Sequence, residues 1–141
     1  MRAWRAFLTA HARITDVLAR ELKDDEGLPL TWYDVLVQLS EAPERRLRMQ
    51  ELANRVLLSK SGLTRLIDRM EQAGLVDRTP CDDDRRGTWA TMTDAGFARI
   101  AATAPTHLRG VREHFADVVS EDEAVVLAAA LERIADRLPV T

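Results

Sequence analysis

Ser61, Thr64, Arg65 and Arg69 recur at spacings of three and four residues within the stretch SKSGLTRLIDRM. Their chemistry is that of recognition by hydrogen bonding. An arginine grips the O6 and N7 of a guanine with two parallel bonds, and serine and threonine serve base edges or phosphates. Gly62, between them, lets a backbone come close. Ser59 and Lys60 stand just ahead and complete a polar set. At this spacing all of these residues lie along one side and at the start of a helix, the part of a recognition helix that enters a major groove.

The elements that must hold them in place are legible. Leu63, Leu66, Ile67 and Met70 repeat at i, i+3, i+4 and i+7 and form one apolar helix face. Ser59 is a good N-cap, and Gly74 stands where a left-handed residue closes a helix. The pattern predicts a helix from about Lys60 to Ala73. Taken alone, it fits a solvated amphipathic helix as well as a reading helix. Leu52, Ala53 and Val56 mark a shorter helix from about Gln50 to Val56, joined to the next by only Leu57-Leu58, a helix-turn-helix arrangement. Downstream, Leu75 to Thr79 reads as a strand ended by Pro80. Cys81 to Gly87 reads as a turn-rich loop and Thr88 to Met92 as a returning strand. A helix-turn-helix followed by a two-stranded hairpin is a winged helix.

These stretches resemble the MarR (multiple antibiotic resistance regulator) family of bacterial transcription regulators. The matching pieces are LAN in the first helix, LSKSGLTRLIDRMEQAGLVDR through the second helix and strand, DDDRRG in the wing and MTDAG beyond it. LTWYDVLVQL is similar to the family's second helix, and the resemblance covers most of the chain. It implies a mainly α fold with a small β hairpin, a winged helix-turn-helix with N- and C-terminal dimerisation helices. It further implies a homodimer on a pseudo-palindromic operator in double-stranded DNA. In the wing it assigns Asp84 and Arg86, with Arg85 beside them. A carboxylate there would hold a guanidinium in one rotamer for a narrow minor groove. The DNA-binding set expected is therefore Ser59, Lys60, Ser61, Gly62, Thr64, Arg65, Arg69, Arg78, Asp84, Arg85 and Arg86. The family often binds small aromatic acids or phenols, which marks Trp4, Trp32 and Tyr33 as effector-binding candidates. Core packing is the competing role for each.

The whole chain is consistent with this. Its 141 residues suit one domain, with residues 30–100 as the winged-helix lobe and residues 1–28 and 105–141 as dimerising helices. Net charge is −3, but residues 45–92 hold ten Lys and Arg against seven Asp and Glu, a net +3, while the remainder holds ten against sixteen, a net −6. Local cations are enough, because phosphate contacts act within a Debye length of about 8 Å. There is no run of eighteen apolar residues and no signal-peptide pattern, so a cytoplasmic protein without a membrane span is expected. No nucleophile–base set, phosphate-binding glycine loop or ligand cluster stands out, so an enzyme, a cofactor and a metal are not expected. A winged helix used for protein contact without DNA is the alternative function.

Along the rest of the chain, Arg2 to Leu22 reads as a helix with a broad apolar stripe, followed by a loop over Lys23 to Pro29. Thr31 reads as the cap of a second helix with core residues Trp32, Val35, Leu36 and Leu39. Glu44 to Arg48 reads as a charged connection. Arg45, Arg46 and Arg48 there are equally well solvated loop charges or phosphate contacts. Gln50 stands at the N-cap region of the first reading helix. Thr93 reads as the cap of a long helix towards His114 that Pro105 should kink or break. Ser120 and Glu123 make a capping box for a last helix ending at Pro139. Cys81 lies among both arginines and aspartates, so a redox role has no clear electrostatic support. His107 and His114, two helical turns apart, are too far apart along one helix for a metal pair.

Overall fold

The computed structural model describes residues 1–56, 58–82 and 87–139. Leu57 and the wing-tip residues Asp83, Asp84, Arg85 and Arg86 lie outside the described residues, so the expected roles of Asp84, Arg85 and Arg86 do too. The elements in order are helices α1 (Arg2–Glu26) and α2 (Leu30–Glu41), a 3-10 turn (Pro43–Arg45), strand β1 (Arg46–Arg48), helices α3 (Met49–Arg55) and α4 (Lys60–Gln72), strands β2 (Val76–Pro80) and β3 (Thr88–Met92), helix α5 (Asp94–Val111), a π-helical turn (Arg112–Ala116) and helix α6 (Glu121–Asp136). The chain divides into two compact units, Gly27–Ala104 and a second made of Met1–Glu26 with the chain from Pro105 onward.

The Gly27–Ala104 unit is the winged helix. Its sheet is antiparallel in the order β1-β3-β2, with Leu47 opposite Ala90 and Val76 opposite Met92. Side chains on a strand alternate faces, so Leu47, Ala90, Val76 and Met92 turn inward and are buried. They meet Val35, Leu36 and Leu39 of α2, Leu52 and Ala53 of α3, and the Leu63, Leu66, Ile67, Met70 face of α4, all buried. Thr93 fastens the returning strand to the end of α4. Its hydroxyl donates to Gly74 O at 2.6 Å and accepts from Gly96 N at 3.0 Å, while its amide donates to Leu75 O at 3.1 Å. Gly74 is left-handed, at φ 78°.

The second unit is helical throughout. α1 buries Leu18 and Leu22, and α5 comes close to α1 at Gly110, where a Cβ would stand 2.7 Å from both Leu18 Cδ2 and Glu21 Oε2. Three polar contacts run along the same seam. Thr106 Oγ1 donates to Glu26 at 2.6 Å, Arg109 pairs with Asp25 at 2.9 Å, and His114 Nε2 lies 2.6 Å from Glu21 Oε1. α6 starts with the capping box expected of Ser120 and Glu123 and buries none of its residues. Val125, Val126 and Ile134 of α6 and Trp4, Phe7 and Leu8 of α1 are exposed.

Several boundaries differ from the sequence reading. α1 runs on to Glu26, because Lys-Asp-Asp-Glu is compatible with helix and only Gly27, at φ 67°, stops it. α2 starts at Leu30 with Pro29 as its N-cap, so Thr31 is inside the helix and caps nothing. Trp32 is only half-buried and Tyr33 takes the core position. Glu44 to Arg48 is not a plain loop. It turns through left-handed Glu44 and Arg45, at φ 56° and 54°, into β1. The cap of α3 is Arg48 rather than Gln50, and no side chain bonds there. Pro80 ends β2 from inside it, which an edge strand tolerates because no neighbour needs its N–H. Pro105 does not break α5, which continues to Val111 before widening into the π turn. α6 stops at Asp136, three residues short of Pro139.

Candidate nucleic-acid interface

The start of α4 is built to be presented. Ser59 Oγ accepts from Gly62 N at 3.1 Å, satisfying an amide that the first helical turn leaves open. A Cβ on Gly62 would stand 3.1 Å from that hydroxyl, so glycine leaves the cap undisturbed. Thr64 Oγ1 donates back to Lys60 O at 2.9 Å, and Ser59 and Ser61 hydroxyls lie 3.3 Å apart. Ser59, Lys60, Ser61, Thr64, Arg65 and Arg69 are exposed and Gly62 half-buried, while the leucines, Ile67 and Met70 on the opposite side of the same helix are buried. The structure thus brings seven of the expected residues onto one solvent-facing surface.

Arg78, on β2, is different. Its guanidinium lies 2.5 Å from Asp68 Oδ1 and 3.2 Å from Glu71 Oε1, and its backbone N–H donates to Glu71 Oε2 at 2.9 Å. These bonds hold the Glu71 carboxyl below the usual glutamate range and raise the guanidinium further. Both partners sit on the last turns of α4, so Arg78 ties the hairpin to the reading helix. By contrast, among the described residues no carboxylate forms an ion pair with Lys60, Arg65 or Arg69.

Sequence reasoning missed two aromatic–cationic contacts, one on the outer face of the sheet and one between the 3-10 turn and α5. Trp89 lies beneath Arg46 and Arg48, with Cζ atoms 4.3 and 5.4 Å from its ring centroid, and Phe97 beneath Arg45 at 3.9 Å. The pairing of β1 with β3 brings Arg46 and Arg48 to Trp89, so only recognition of β1 as a strand would have revealed that part.

The remaining candidates sort plainly. Cys81 is buried, with its amide bonded to Gly87 O at 3.0 Å. Tyr33 is buried, and burial pushes its phenol up, with Asp34 adding to the shift. Trp32 is half-buried and Trp4, in the helical unit, is exposed. Glu21, Glu113 and His114 approach one another within 4.8 Å. A contact between helices through His114 and Glu21 accounts for that grouping.

The MarR family profile matches residues 26–87, which take in the whole helix-turn-helix and β2 and end just before β3. The chain is 40% identical to AbsC, a MarR family transcriptional regulator from Streptomyces coelicolor. The two superpose with a TM-score of 0.90 over 95% of this chain and 90% of AbsC. The chain belongs to the MarR family. It is a DNA-binding transcriptional regulator. A second MarR family regulator of that organism, Sco3205, whose structure is in complex with DNA, is 36% identical, with a TM-score of 0.92 over 97% of this chain and 86% of Sco3205. The transcriptional regulator PecS of Dickeya dadantii is 35% identical over 88 residues, which span 62% of this chain and about half, 52%, of PecS. Among the described residues of this MarR-family chain, no helix is long and apolar enough to cross a membrane.

Proposed function

We propose that this regulator acts in the cytoplasm as a homodimer. It reads a pseudo-palindromic operator with the start of α4 from each copy and represses the genes beside it. The observation that carries this is the two-sidedness of α4: an uncompensated Lys60–Ser61–Thr64–Arg65–Arg69 surface over a fully buried apolar face. Sco3205, similar over almost the whole chain, is seen with DNA, which supports the same use here. The bare apolar residues of α1 and α6 support a second copy as their cover, because exposed apolar patches of that kind mark interaction sites. The wing tip, through Asp84, Arg85 and Arg86, would enter the flanking minor groove. Regulation rather than catalysis fits the relatives, which are regulators. Of the three effector candidates, Trp4 and Trp32, which belong to different units, each offer a small aromatic molecule more surface than buried Tyr33.

The test is selection from a random duplex library with the purified protein, followed by anisotropy titration of the enriched duplex at several salt concentrations. Enrichment of an inverted repeat, with two chains per duplex, is expected. Affinity should fall by orders of magnitude between about 50 and 200 mM salt if some six to ten phosphates are contacted. No enrichment, with binding insensitive to salt, would return the fold to a protein-docking role.

A further inference from the structure

We propose that Arg48 is a phosphate-binding residue for duplex DNA, carried by the sheet and held in place by Trp89. The proposal rests on the DNA-reading function above and adds to it an anchoring point carried by neither α4 nor the wing tip.

The strand fixes the geometry. In β1 the central residue, Leu47, points into the core and is 4% exposed, so Arg46 and Arg48 both project from the outer face. Arg48 is the direct cross-strand partner of Trp89. The indole lies under both guanidinium groups, closer to Arg46 and within reach of Arg48. An aromatic face attracts a cation through its quadrupole without cancelling the charge. A flexible side chain is thereby kept near one place while its charge stays available.

The three neighbouring arginines differ in counter-charge. Arg45 pairs with Asp94 at 3.8 Å and Arg46 with Glu44 at 2.8 Å. Among the described residues no carboxylate pairs with Arg48, which is exposed. Of the three, Arg48 is the one whose charge a phosphate would meet unopposed.

Its position is also right. Arg48 lines a groove of about 350 Å³ together with Gln50, Lys60, Thr64 and Thr88. Lys60 and Thr64 belong to the first turns of α4. A duplex laid against those turns passes its backbone beside the groove's Arg48 wall. Guanidinium groups suit this task, since their planar donors match phosphate oxygens.

Arg48→Ala, Arg48→Lys, Trp89→Leu and Trp89→Phe should be titrated with an enriched and a random duplex from about 50 to 300 mM salt. Arg48→Ala should weaken binding to both duplexes about equally. The slope of log K against log salt should fall by about 0.9 for each phosphate left unneutralised, once per subunit. Arg48→Lys should keep the slope. Trp89→Leu should weaken both duplexes in the same way and Trp89→Phe should restore most of the affinity, a rescue that mere core damage would not show. Melting curves identify any variant that fails to fold. Should Trp89→Leu unfold, Trp89→Phe with unchanged affinity beside an impaired Trp89→Thr still tests the brace. An Arg48→Ala protein with wild-type affinity and slope overturns the proposal. Wild-type protein that binds no duplex at all overturns the DNA-reading function instead, so the two failures are separable.

Discussion

Glu71 holds Arg78 at two points at once, accepting its backbone N–H at 2.9 Å and its guanidinium at 3.2 Å, from the last turn of α4. The bond to the main chain fixes the strand, and the bond to the side chain fixes the rotamer. Asp68, one turn earlier on the same helix, adds a second carboxylate. The charge of Arg78 is thereby met inside the protein, which sets it apart from Lys60, Arg65 and Arg69 on the reading helix.

Replacing Arg78 should therefore not look like the removal of a phosphate-binding group. For Arg78→Ala, the salt slope of DNA binding should match wild type while affinity drops and amide exchange in β2 speeds up. A slope reduced by about one per subunit would instead place Arg78 on the duplex.

Acid should release the same clamp. The Glu71 carboxyl lies below its ordinary value because of the hydrogen bond from the Arg78 side chain first and its backbone N–H second. A depressed carboxyl stabilises the fold above its unfolded value, about 4.3, and that contribution is lost as pH falls through the lower folded value. Urea midpoints of wild type and Glu71→Gln should differ at pH 7 and converge as pH drops below about 4. A gap that stayed constant with pH would rule out the ionic part of the contact.

On the proposed function, base reading falls to α4. Arg65→Ala should cost roughly 1–3 kcal/mol on the enriched duplex and flatten preference at one base pair in each half-site. Arg86→Ala should weaken enriched and random duplexes alike, as expected of a minor-groove arginine. Wild-type discrimination in Arg65→Ala would move the reading role to another residue.

The apolar outer surfaces of α1 and α6 predict their own failure. Val126 is 69% exposed, and Val126→Glu would set a charge into an apolar interface. Size-exclusion chromatography with light scattering should show monomer for this variant and the proposed dimer for wild type. An unchanged dimer would mean that the interface lies elsewhere.

At Gly96 a Cβ would overlap the backbone oxygen of Leu75 and crowd Met92 Cγ at 2.8 Å. Backbone cannot give way as a side-chain end can. Gly96→Ala should lower stability by about 1–3 kcal/mol, read from chemical denaturation. A neutral result would show that α5 shifts freely against the hairpin's foot.

The parts legible in the sequence were those set by local pattern. Ser59, the four apolar residues of α4 and Gly74 fixed that helix to within a residue of its observed end, and Thr88–Met92 was read residue for residue. What escaped was set by distant partners. β1 has only three residues, two of them arginines, and becomes a strand because β3 pairs with it. Arg78 looked like its neighbours in sequence until Asp68 and Glu71 were seen around it. A count of arginines cannot tell a neutralised cation from a free one, because the neutralising group sits elsewhere in the chain.

Thr93 and the Gly74–Leu75 backbone fasten the hairpin where it leaves α4 and where it returns. Further out, Cys81 N and Gly87 O close the ladder again at 3.0 Å. Whatever lies beyond that last rung can therefore change length without unseating the helix. On the proposed function, extra residues inserted between Cys81 and Gly87 would lengthen the protein's reach along a duplex while leaving the seat of α4 as it is.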